Sequence, residues 1–158
     1  MKLNYLFPHT YKRIGLVFLV PLMIAGWLII NFDVEPEFLN FKVPAIFVDE
    51  IFGEKFMFGF TENNILNEII GIALIICLLM VSFSKEKQED ELIEKIRLDS
   101  LVWATYANYT VLLFSILFVY GISFLWVMIC NMFTILLFFI IRFNWQVKVL
   151  NKNMSHEE

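Results

Sequence analysis

The sequence has little charge and few of the residue types that build catalytic or metal sites. Only 18% of its 158 residues are charged, against about 25% in soluble domains. Its two cysteines, Cys77 and Cys130, stand apart in apolar runs, which excludes a disulfide framework, a zinc site and paired-thiol redox chemistry. His9 and His156 lie near the two ends, and no lysine interrupts an apolar run, so haem ligation and a Schiff-base pigment are also disfavoured. We therefore predict no catalytic residue, no cofactor and no metal site.

Apolar residues are abundant instead. They make up 59% of the chain, with 18 phenylalanines, against about 45–50% in soluble domains. A soluble domain of this size buries only roughly two-thirds of the surface that its unfolded chain exposes, so it could not hide this much apolar area. The net charge of −4 also disfavours nucleic acid as a partner. The composition predicts an all-α integral membrane protein whose first partner is the lipid bilayer.

Four apolar stretches approach the roughly 20 residues that a membrane-spanning helix needs. The third and fourth come from 42 consecutive uncharged residues between Asp99 and Arg142, a run about twice the length of one span. Tyr120-Gly121-Ile122-Ser123 near its middle fits a tight turn. The sequence therefore predicts a single membrane domain, residues 1–158, folded as an antiparallel four-helix bundle. The predicted spans are residues 14–32, 65–83, 101–120 and 123–141.

The distribution of basic residues predicts the orientation of these spans. Ten of the 12 lysines and arginines lie before the first span, in the connection 84–100 or in the tail 142–158. Only two, Lys42 and Lys55, lie in the loop 33–63. Because positive residues are retained on the cytoplasmic side, both termini, the connection 84–100 and the tail are predicted to be cytoplasmic, and the loop 33–63 external.

The external loop is acidic and rich in phenylalanine. Phe56, Phe58 and Phe60 alternate with other residues, and Pro44 and Gly53 punctuate the stretch, which predicts a short hairpin or two extended pieces. The favoured interpretation is a lid folded onto the ends of its own helices. The alternative is a docking surface for a partner protein or the outer leaflet.

The connection 84–100 is the most charged part of the chain and predicts a helical extension that runs into the third span. Adjacent acids on a helix point about 100° apart, so three in a row form a solvated face and do not converge on a metal. The same helix combines both charge signs with a narrow apolar edge, which makes it a candidate surface for a cytoplasmic partner. That candidate surface comprises Glu89, Asp90, Glu91, Leu92, Ile93 and Ile96.

Polar residues inside the predicted spans are interpreted as structural, because such groups usually face other helices. Asn108 and Asn131 fall at similar depths on either side of the turn, so a hydrogen bond between them is expected. Glu68 lies near the start of the second span, where a role at the positive helix terminus is favoured over an ion or proton role. Pro21 predicts a kink in the first span. The complete set of intramembrane polar candidates is Glu68, Asn108, Asn131, Thr134 and Arg142.

Three segments carry a resemblance to a known group of proteins: residues 1–9 (MKLNYLFPH), 85–91 (KEKQEDE) and 97–101 (RLDSL). The chain resembles, over its whole length, a family of small uncharacterised bacterial four-span membrane proteins. The resemblance implies a protein of the bacterial cytoplasmic membrane, with genes of this kind sometimes lying beside a small helix-turn-helix regulator. It implies no activity and no functional residue.

These observations favour a non-enzymatic membrane interaction or regulatory protein, such as a sensor, an accessory subunit or a protective factor. Its partner would be a membrane or cytoplasmic protein, or further copies of the chain. The first alternative is a small oligomeric transporter or channel, although Glu68 is a shallow candidate for an intramembrane carboxylate. The second is a membrane enzyme of the glutathione-transferase type. Such enzymes carry a cytoplasmic motif rich in arginine and asparagine, which Arg97 and Asn108 match only sparsely.

Overall fold

A computed structural model describes residues 5–32, 34, 36–45, 48–49, 55–56, 59–87 and 89–154. This part of the chain is mostly helical, with four α-helices and short strands between the first two. The elements in order are α1 (His9–Phe32), β1 (Asn40–Ala45), β2 (Val48–Asp49), β3 (Lys55–Phe56), β4 (Gly59–Asn64), α2 (Leu66–Ser82), α3 (Glu91–Phe118) and α4 (Ile122–Met154).

Within the described residues, three helices are long and apolar enough to cross a membrane: α1, α3 and α4. The second helix, α2, is apolar but only 17 residues long. In the most apolar 18-residue windows of the three long helices, only 6–11% of residues are buried. Most of their apolar side chains are therefore exposed or half-buried and do not lie in a protein core.

The long helices extend beyond the predicted spans. The helix α3 begins at Glu91, inside the charged connection, so the predicted helical extension is present. The helix α4 continues past Arg142 to Met154, where the sequence analysis places only a tail. The helix α1 runs from His9 through Pro21 to Phe32 without a break.

The chain divides into two compact units, Met1–Leu19 with Ile75–Glu158, and Val20–Leu74. In the first unit α3 packs against α4. Gly121 joins the two helices with a φ of 70°, a left-handed conformation that glycine adopts without steric cost. The turn lies where the sequence predicts it, and it makes α3 and α4 antiparallel neighbours.

The first unit also contains a close approach between α1 and α2 at Gly15. A Cβ atom added to Gly15 would lie 2.7 Å from Cγ2 of Val81 and 3.2 Å from the carbonyl oxygen of Cys77. Such distances are shorter than van der Waals contact, so the packing of these two helix segments depends on the missing side chain.

The second unit contains the antiparallel hairpin of β1 and β4, with Asn40 opposite Asn64 and Ala45 opposite Gly59. Nδ2 of Asn64 donates to the carbonyl oxygen of Pro36 at 2.9 Å and to Oδ1 of Asn40 at 2.7 Å. Its own Oδ1 accepts from the backbone N–H of Leu66 at 3.2 Å. One side chain thus ties the hairpin to the first turn of α2.

The loop predicted to be external therefore contains a hairpin, with a second short strand pair inside it formed by β2 and β3. Gly53 and Phe58, which entered the expectation for this loop, lie outside the described residues. Phe41 and Phe60 are exposed. The lid and the docking surface both stay predictions for this hairpin.

Gly15→Ala is expected to lower the free energy of unfolding by about 1–3 kcal/mol, because the methyl group would overlap the stiff Val81 side chain and a backbone carbonyl. Gly71→Ala is the matched control, since a Cβ there meets nothing within 4 Å and alanine favours the helix by up to about 1 kcal/mol. Reversible unfolding in mixed micelles measures both changes. Equal effects at the two glycines would contradict the close approach at Gly15.

Candidate functional site

The buried face of α3 carries a charged residue. Its buried side chains are Ile93, Arg97, Ser100, Ala104 and Asn108, spaced four, three, four and four residues apart, which is the period of one helical stripe. Arg97 is only 4% exposed. Because guanidinium stays charged in proteins, burial at this position requires an opposite charge and hydrogen-bond acceptors nearby.

Glu89 supplies that charge. Nη2 of Arg97 lies 2.9 Å from Oε1 of Glu89 and donates a hydrogen bond to Oε2 at 3.2 Å. The same nitrogen lies 3.4 Å from the carbonyl oxygen of Ser84, which also accepts from it. Oε2 of Glu89 in turn accepts from the backbone N–H of Glu86 at 2.8 Å. The guanidinium lies 5.1 Å from the ring centre of Phe143 on α4, within cation–π range.

A second ion pair lies in the same unit. Nζ of Lys12 on α1 is paired with Oε1 of Glu86, and it lies 5.6 Å from the ring centre of Phe143. We call Lys12, Glu86, Glu89 and Arg97 the charged cluster. Lys12 comes from α1, Glu86 and Glu89 from the connection between α2 and α3, and Arg97 from α3. The helix α4 supplies the aromatic ring that both cations contact.

The connection that carries the cluster is held by backbone hydrogen bonds. The N–H of Phe7 donates to the carbonyl oxygen of Phe83 at 2.9 Å, and the N–H of Lys85 donates to the carbonyl oxygen of Phe7 at 2.8 Å. Oδ1 of Asp90 accepts from the backbone N–H of Ile93 at 2.8 Å and caps the start of α3. Both ends of the connection are therefore fixed.

His9 contacts this connection through one ring nitrogen. Nδ1 lies 3.0 Å from the carbonyl oxygen of Lys85. Since a carbonyl oxygen only accepts, Nδ1 carries the proton and donates it. Nε2 is buried and has no hydrogen-bond partner among the described residues. A neutral His9 therefore presents an unused acceptor.

The structure leaves several buried polar atoms without a hydrogen-bond partner among the described residues. They belong to members of the charged cluster and to residues near it in the chain. Oε1 of Glu89 is one of them, although its 2.9 Å contact with Arg97 is an ion pair by distance. We interpret that contact as electrostatically favourable, because Coulomb attraction depends little on the angle that a hydrogen bond requires. The other atoms are Nε2 of His9, Oγ of Ser82, Nε and Nη1 of Arg97 and Oγ of Ser100.

Hydroxyl groups further along the apolar helices are bonded internally. Thr105, Thr110, Ser115 and Thr134 each donate to the carbonyl oxygen four residues earlier, at 2.7–2.9 Å. These helix segments therefore satisfy the hydroxyl groups within their own backbone, unlike the surroundings of the charged cluster.

A cavity of about 440 Å³, the His9 cavity, lies next to the cluster. Its polar wall includes His9, Glu86 and Asp90, and its apolar wall includes Ile93 and Val147. The cavity is therefore amphipathic, with one wall from the cluster side and the other from α3 and the end of α4.

A groove of about 380 Å³, the Trp145 groove, lies between α3 and the extension of α4, with Ile96 and Val149 among its lining residues. Arg142, at its edge, lies 5.3 Å from the ring centre of Trp103 and 5.0 Å from that of Trp145. Gln146, with its amide oxygen turned toward the guanidinium, accepts from Nη2 at 3.0 Å and Nε at 3.1 Å. Arg142 is thus held in place by two aromatic rings and one amide.

The candidate partner surface is not one exposed face. Glu89 is paired with Arg97, Asp90 caps α3 and Ile93 is buried. The reason is helical phase: the stripe that packs inward includes Ile93 and Arg97, and Arg97 draws Glu89 inward with it. Asp90, Glu91 and Leu92 remain exposed, and Ile96 lines the Trp145 groove.

The intramembrane candidates occupy separate places. Nδ2 of Asn131 donates to Oδ1 of Asn108 at 3.3 Å, across the antiparallel pair of α3 and α4. Glu68 lies in the first turn of α2, is exposed and accepts from Nδ2 of Asn63 at 2.6 Å. Thr134 is bonded to its own helix and Arg142 lies at the groove, so the structure brings only the two asparagines together.

Sequence reasoning did not find the charged cluster. Arg97 was detectable, because Ser100, Ala104 and Asn108 recur at helical spacing and this stripe continues backward through Arg97 at the same period. Lys12 and Glu86 carry no such pattern, since 74 positions separate them along the chain.

Comparison of the chain with models of protein families, with curated proteins and with solved structures finds no match. The resemblance to small four-span bacterial membrane proteins stays a prediction. Among the described residues, no group of three or more histidine, cysteine, aspartate or glutamate side chains is arranged to hold a metal ion. Function is therefore argued from the charged cluster, the His9 cavity and the Trp145 groove.

Arg97→Met and Glu89→Leu are each expected to lower the free energy of unfolding by about 3–5 kcal/mol, because each leaves a largely buried partner charge uncompensated. The double variant should lose at least about 1 kcal/mol less than the two single losses combined. Reversible unfolding in mixed micelles gives all three values.

Glu91→Gln is the control for this cycle, since Glu91 is an exposed carboxylate in the first turn of the same helix. Its loss should stay below about 1 kcal/mol. Strict additivity of the Arg97 and Glu89 variants would show that the two residues do not stabilise the fold as a pair.

Proposed function

We propose that the chain is an integral membrane protein of the bacterial cytoplasmic membrane, folded as an antiparallel four-helix bundle. The support for membrane insertion is the outward-facing apolar surface of α1, α3 and α4, with 6–11% of each apolar window buried. In water such a surface would be strongly unfavourable, whereas in a bilayer it replaces lipid-to-lipid contacts at little cost.

The shorter helix α2 is proposed as the fourth span. Its 17 residues correspond to about 26 Å at 1.5 Å per residue, slightly less than the roughly 30 Å of the hydrocarbon core. A short span is accommodated by local thinning of the bilayer at modest cost. With four spans, the ten-to-two distribution of basic residues favours a cytoplasmic location for both termini.

We infer that the protein acts as a non-enzymatic interaction or regulatory protein, with recognition at the cytoplasmic end of α3 and α4. One observation carries this proposal: the Trp145 groove leaves apolar side chains exposed beside the fixed guanidinium of Arg142, with Trp145 58% and Val149 44% exposed. A groove that joins exposed apolar side chains to a cation offers a partner both apolar surface to bury and a charge to pair with.

Topology is tested by single cysteines in a background without Cys77 and Cys130. A membrane-impermeant maleimide added to intact cells should label Lys42→Cys on the hairpin, because its exposed side chain is proposed to be external. Lys87→Cys, also exposed, should be labelled only after the cells are opened. Labelling of Lys87→Cys in intact cells would overturn the proposed orientation.

Partner recognition is tested by a photo-crosslinking amino acid at Val149, which lines the Trp145 groove and is 44% exposed. Irradiation of native membranes should give one discrete adduct at Val149 and little at Lys148, the exposed neighbour that does not line the groove. Once the partner in the adduct is identified, Val149→Glu should weaken its binding to the protein at least about tenfold, a loss of about 1.4 kcal/mol of binding free energy. The same variant should unfold in micelles like the unaltered protein.

The transporter alternative makes the opposite expectation. It requires a solute or ion flux in reconstituted vesicles that Glu68→Gln abolishes, with no adduct specific to Val149. That combination would replace the interaction proposal.

A further inference from the structure

One side of α3 borders the Trp145 groove. Four residues on this side recur at intervals of four, three and four positions and form one helical stripe: Leu92, Ile96, Asp99 and Trp103. Ile96 lines the groove, and the ring of Trp103 contacts Arg142 at the groove's edge, so the stripe forms the α3 side of the groove. Leu92, Asp99 and Trp103 are exposed, which leaves this side accessible to a partner.

Two groups of opposite charge on this side are open to a partner. The carboxylate of Asp99 is exposed and makes no hydrogen bond or ion pair with any described residue. Gln146 occupies Nε and one proton of Nη2 on Arg142, which leaves Nη1 and the second proton of Nη2 as an end-on pair of donors. Nη1 of Arg142 is not buried, whereas Nη1 of Arg97 is. Such a pair of donors matches a carboxylate in bidentate geometry.

Asp99 and Arg142 lie at nearly the same level along their helices. The hydrogen bond between Asn108 and Asn131 joins α3 and α4 at one level. Asp99 lies nine residues before Asn108 and Arg142 lies eleven residues after Asn131, which places them about 14 and 17 Å from that level at 1.5 Å per residue. The difference of about 3 Å is less than one helical turn.

Two apolar residues match in the same way. Leu92 precedes Asp99 by seven residues, and Val149 follows Arg142 by seven residues. Because α3 and α4 are antiparallel, both steps lead two turns further toward the same end of the molecule. Leu92 is 46% and Val149 is 44% exposed. A helix with the α3 stripe therefore places a carboxylate on Arg142 and an apolar side chain on Val149 at the same time.

A twofold axis parallel to the helices brings these groups together in two copies of the chain. Such a rotation keeps every residue at its level and sets α3 of one copy opposite α4 of the other. The contact is isologous, so Asp99 of each copy meets Arg142 of the other. Two copies inserted in one membrane with the same orientation are related by an axis of this kind.

A lipid headgroup matches this side less well. Its phosphate would pair with Arg142 but would lie on the same side as the carboxylate of Asp99, which repels it. Val149 lies about 11 Å further along α4 at 1.5 Å per residue, while the acyl chains of a lipid extend the other way, into the bilayer. The exposed apolar surface at Val149 would stay uncovered.

We propose that the Trp145 groove is the interface of a homodimer, in which Asp99 of each copy pairs with Arg142 of the other and Leu92 packs against Val149. The inference deepens the proposed function, because it names the partner as a second copy of the chain. It rests on that function in taking both copies to be inserted in the membrane with the same orientation.

Dimerisation is tested by energy transfer between donor- and acceptor-labelled copies in vesicles of phosphatidylethanolamine and phosphatidylglycerol at increasing lipid-to-protein ratios. Asp99→Arg and Arg142→Asp should each weaken the homodimer at least about tenfold, a loss of about 1.4 kcal/mol, because like charges then face each other in both contacts. A mixture of the two variants should recover the affinity of the unaltered chain to within about threefold, since both contacts then join opposite charges. A pair within one chain cannot produce this recovery.

Glu91→Lys is the charge control, because Glu91 is an exposed carboxylate of α3 outside the stripe, and it should leave dimerisation unchanged. Unfolding in micelles checks that each variant is folded.

A second measurement leaves Asp99 and Arg142 unaltered. Copies with Leu92→Cys and copies with Val149→Cys, both in the background without Cys77 and Cys130, should form a disulfide with each other on mild oxidation in vesicles. Lys148→Cys in place of Val149→Cys is the control, since Lys148 is exposed and does not line the groove, and it should give little of this product.

Three results would overturn the inference: no energy transfer above that of random proximity in vesicles, no recovery in the mixture of variants, or equal disulfide formation by Lys148→Cys and Val149→Cys. The photo-adduct at Val149 distinguishes this failure from failure of the proposed function. An adduct with a different protein would remove the homodimer and leave the interaction proposal standing, whereas the lack of any adduct specific to Val149 would contradict both.

Discussion

Burial of the Arg97 guanidinium is the constraint on which the charged end of the first unit depends. A buried charge without a partner costs several kcal/mol, so Glu89 has to reach it. Glu89 then fixes the backbone N–H of Glu86, and Glu86 pairs with Lys12 on α1. One charge on α3 thereby determines the path of the connection and the docking of the start of α1.

An aromatic stack supports this charge network. Phe83, Phe139 and Phe143 stack in sequence, with ring centres 5.8 and 5.7 Å apart. Phe143 also lies under the cations of Arg97 and Lys12. Such rings give the cations a weakly polar surface that favours positive charge and excludes water, so the ion pairs interact more strongly than exposed pairs do.

Hydrogen bonding distinguishes the apolar parts of α3 and α4 from the end proposed for recognition. The hydroxyl groups of Thr110, Ser115 and Thr134 bond to the backbone one turn earlier, and Asn131 pairs with Asn108. These groups are already satisfied and have little to offer a partner. Beyond Phe143, α4 continues to Met154 and builds walls of the His9 cavity and the Trp145 groove, where polar and apolar groups lie side by side.

Composition and periodicity alone determined that the chain is helical and strongly apolar, roughly where its helices lie apart from the extension of α4 beyond Arg142, and that Gly121 turns one helix back on the next. They could do so because helical spacing, apolar runs and glycine conformations are local properties. Only the tertiary structure decided that Glu89, Asp90 and Ile93 serve the fold, that Lys12 meets Glu86, and that a cavity forms at His9. Ion pairs between distant segments and the phase at which a helix packs depend on partners that no local pattern encodes.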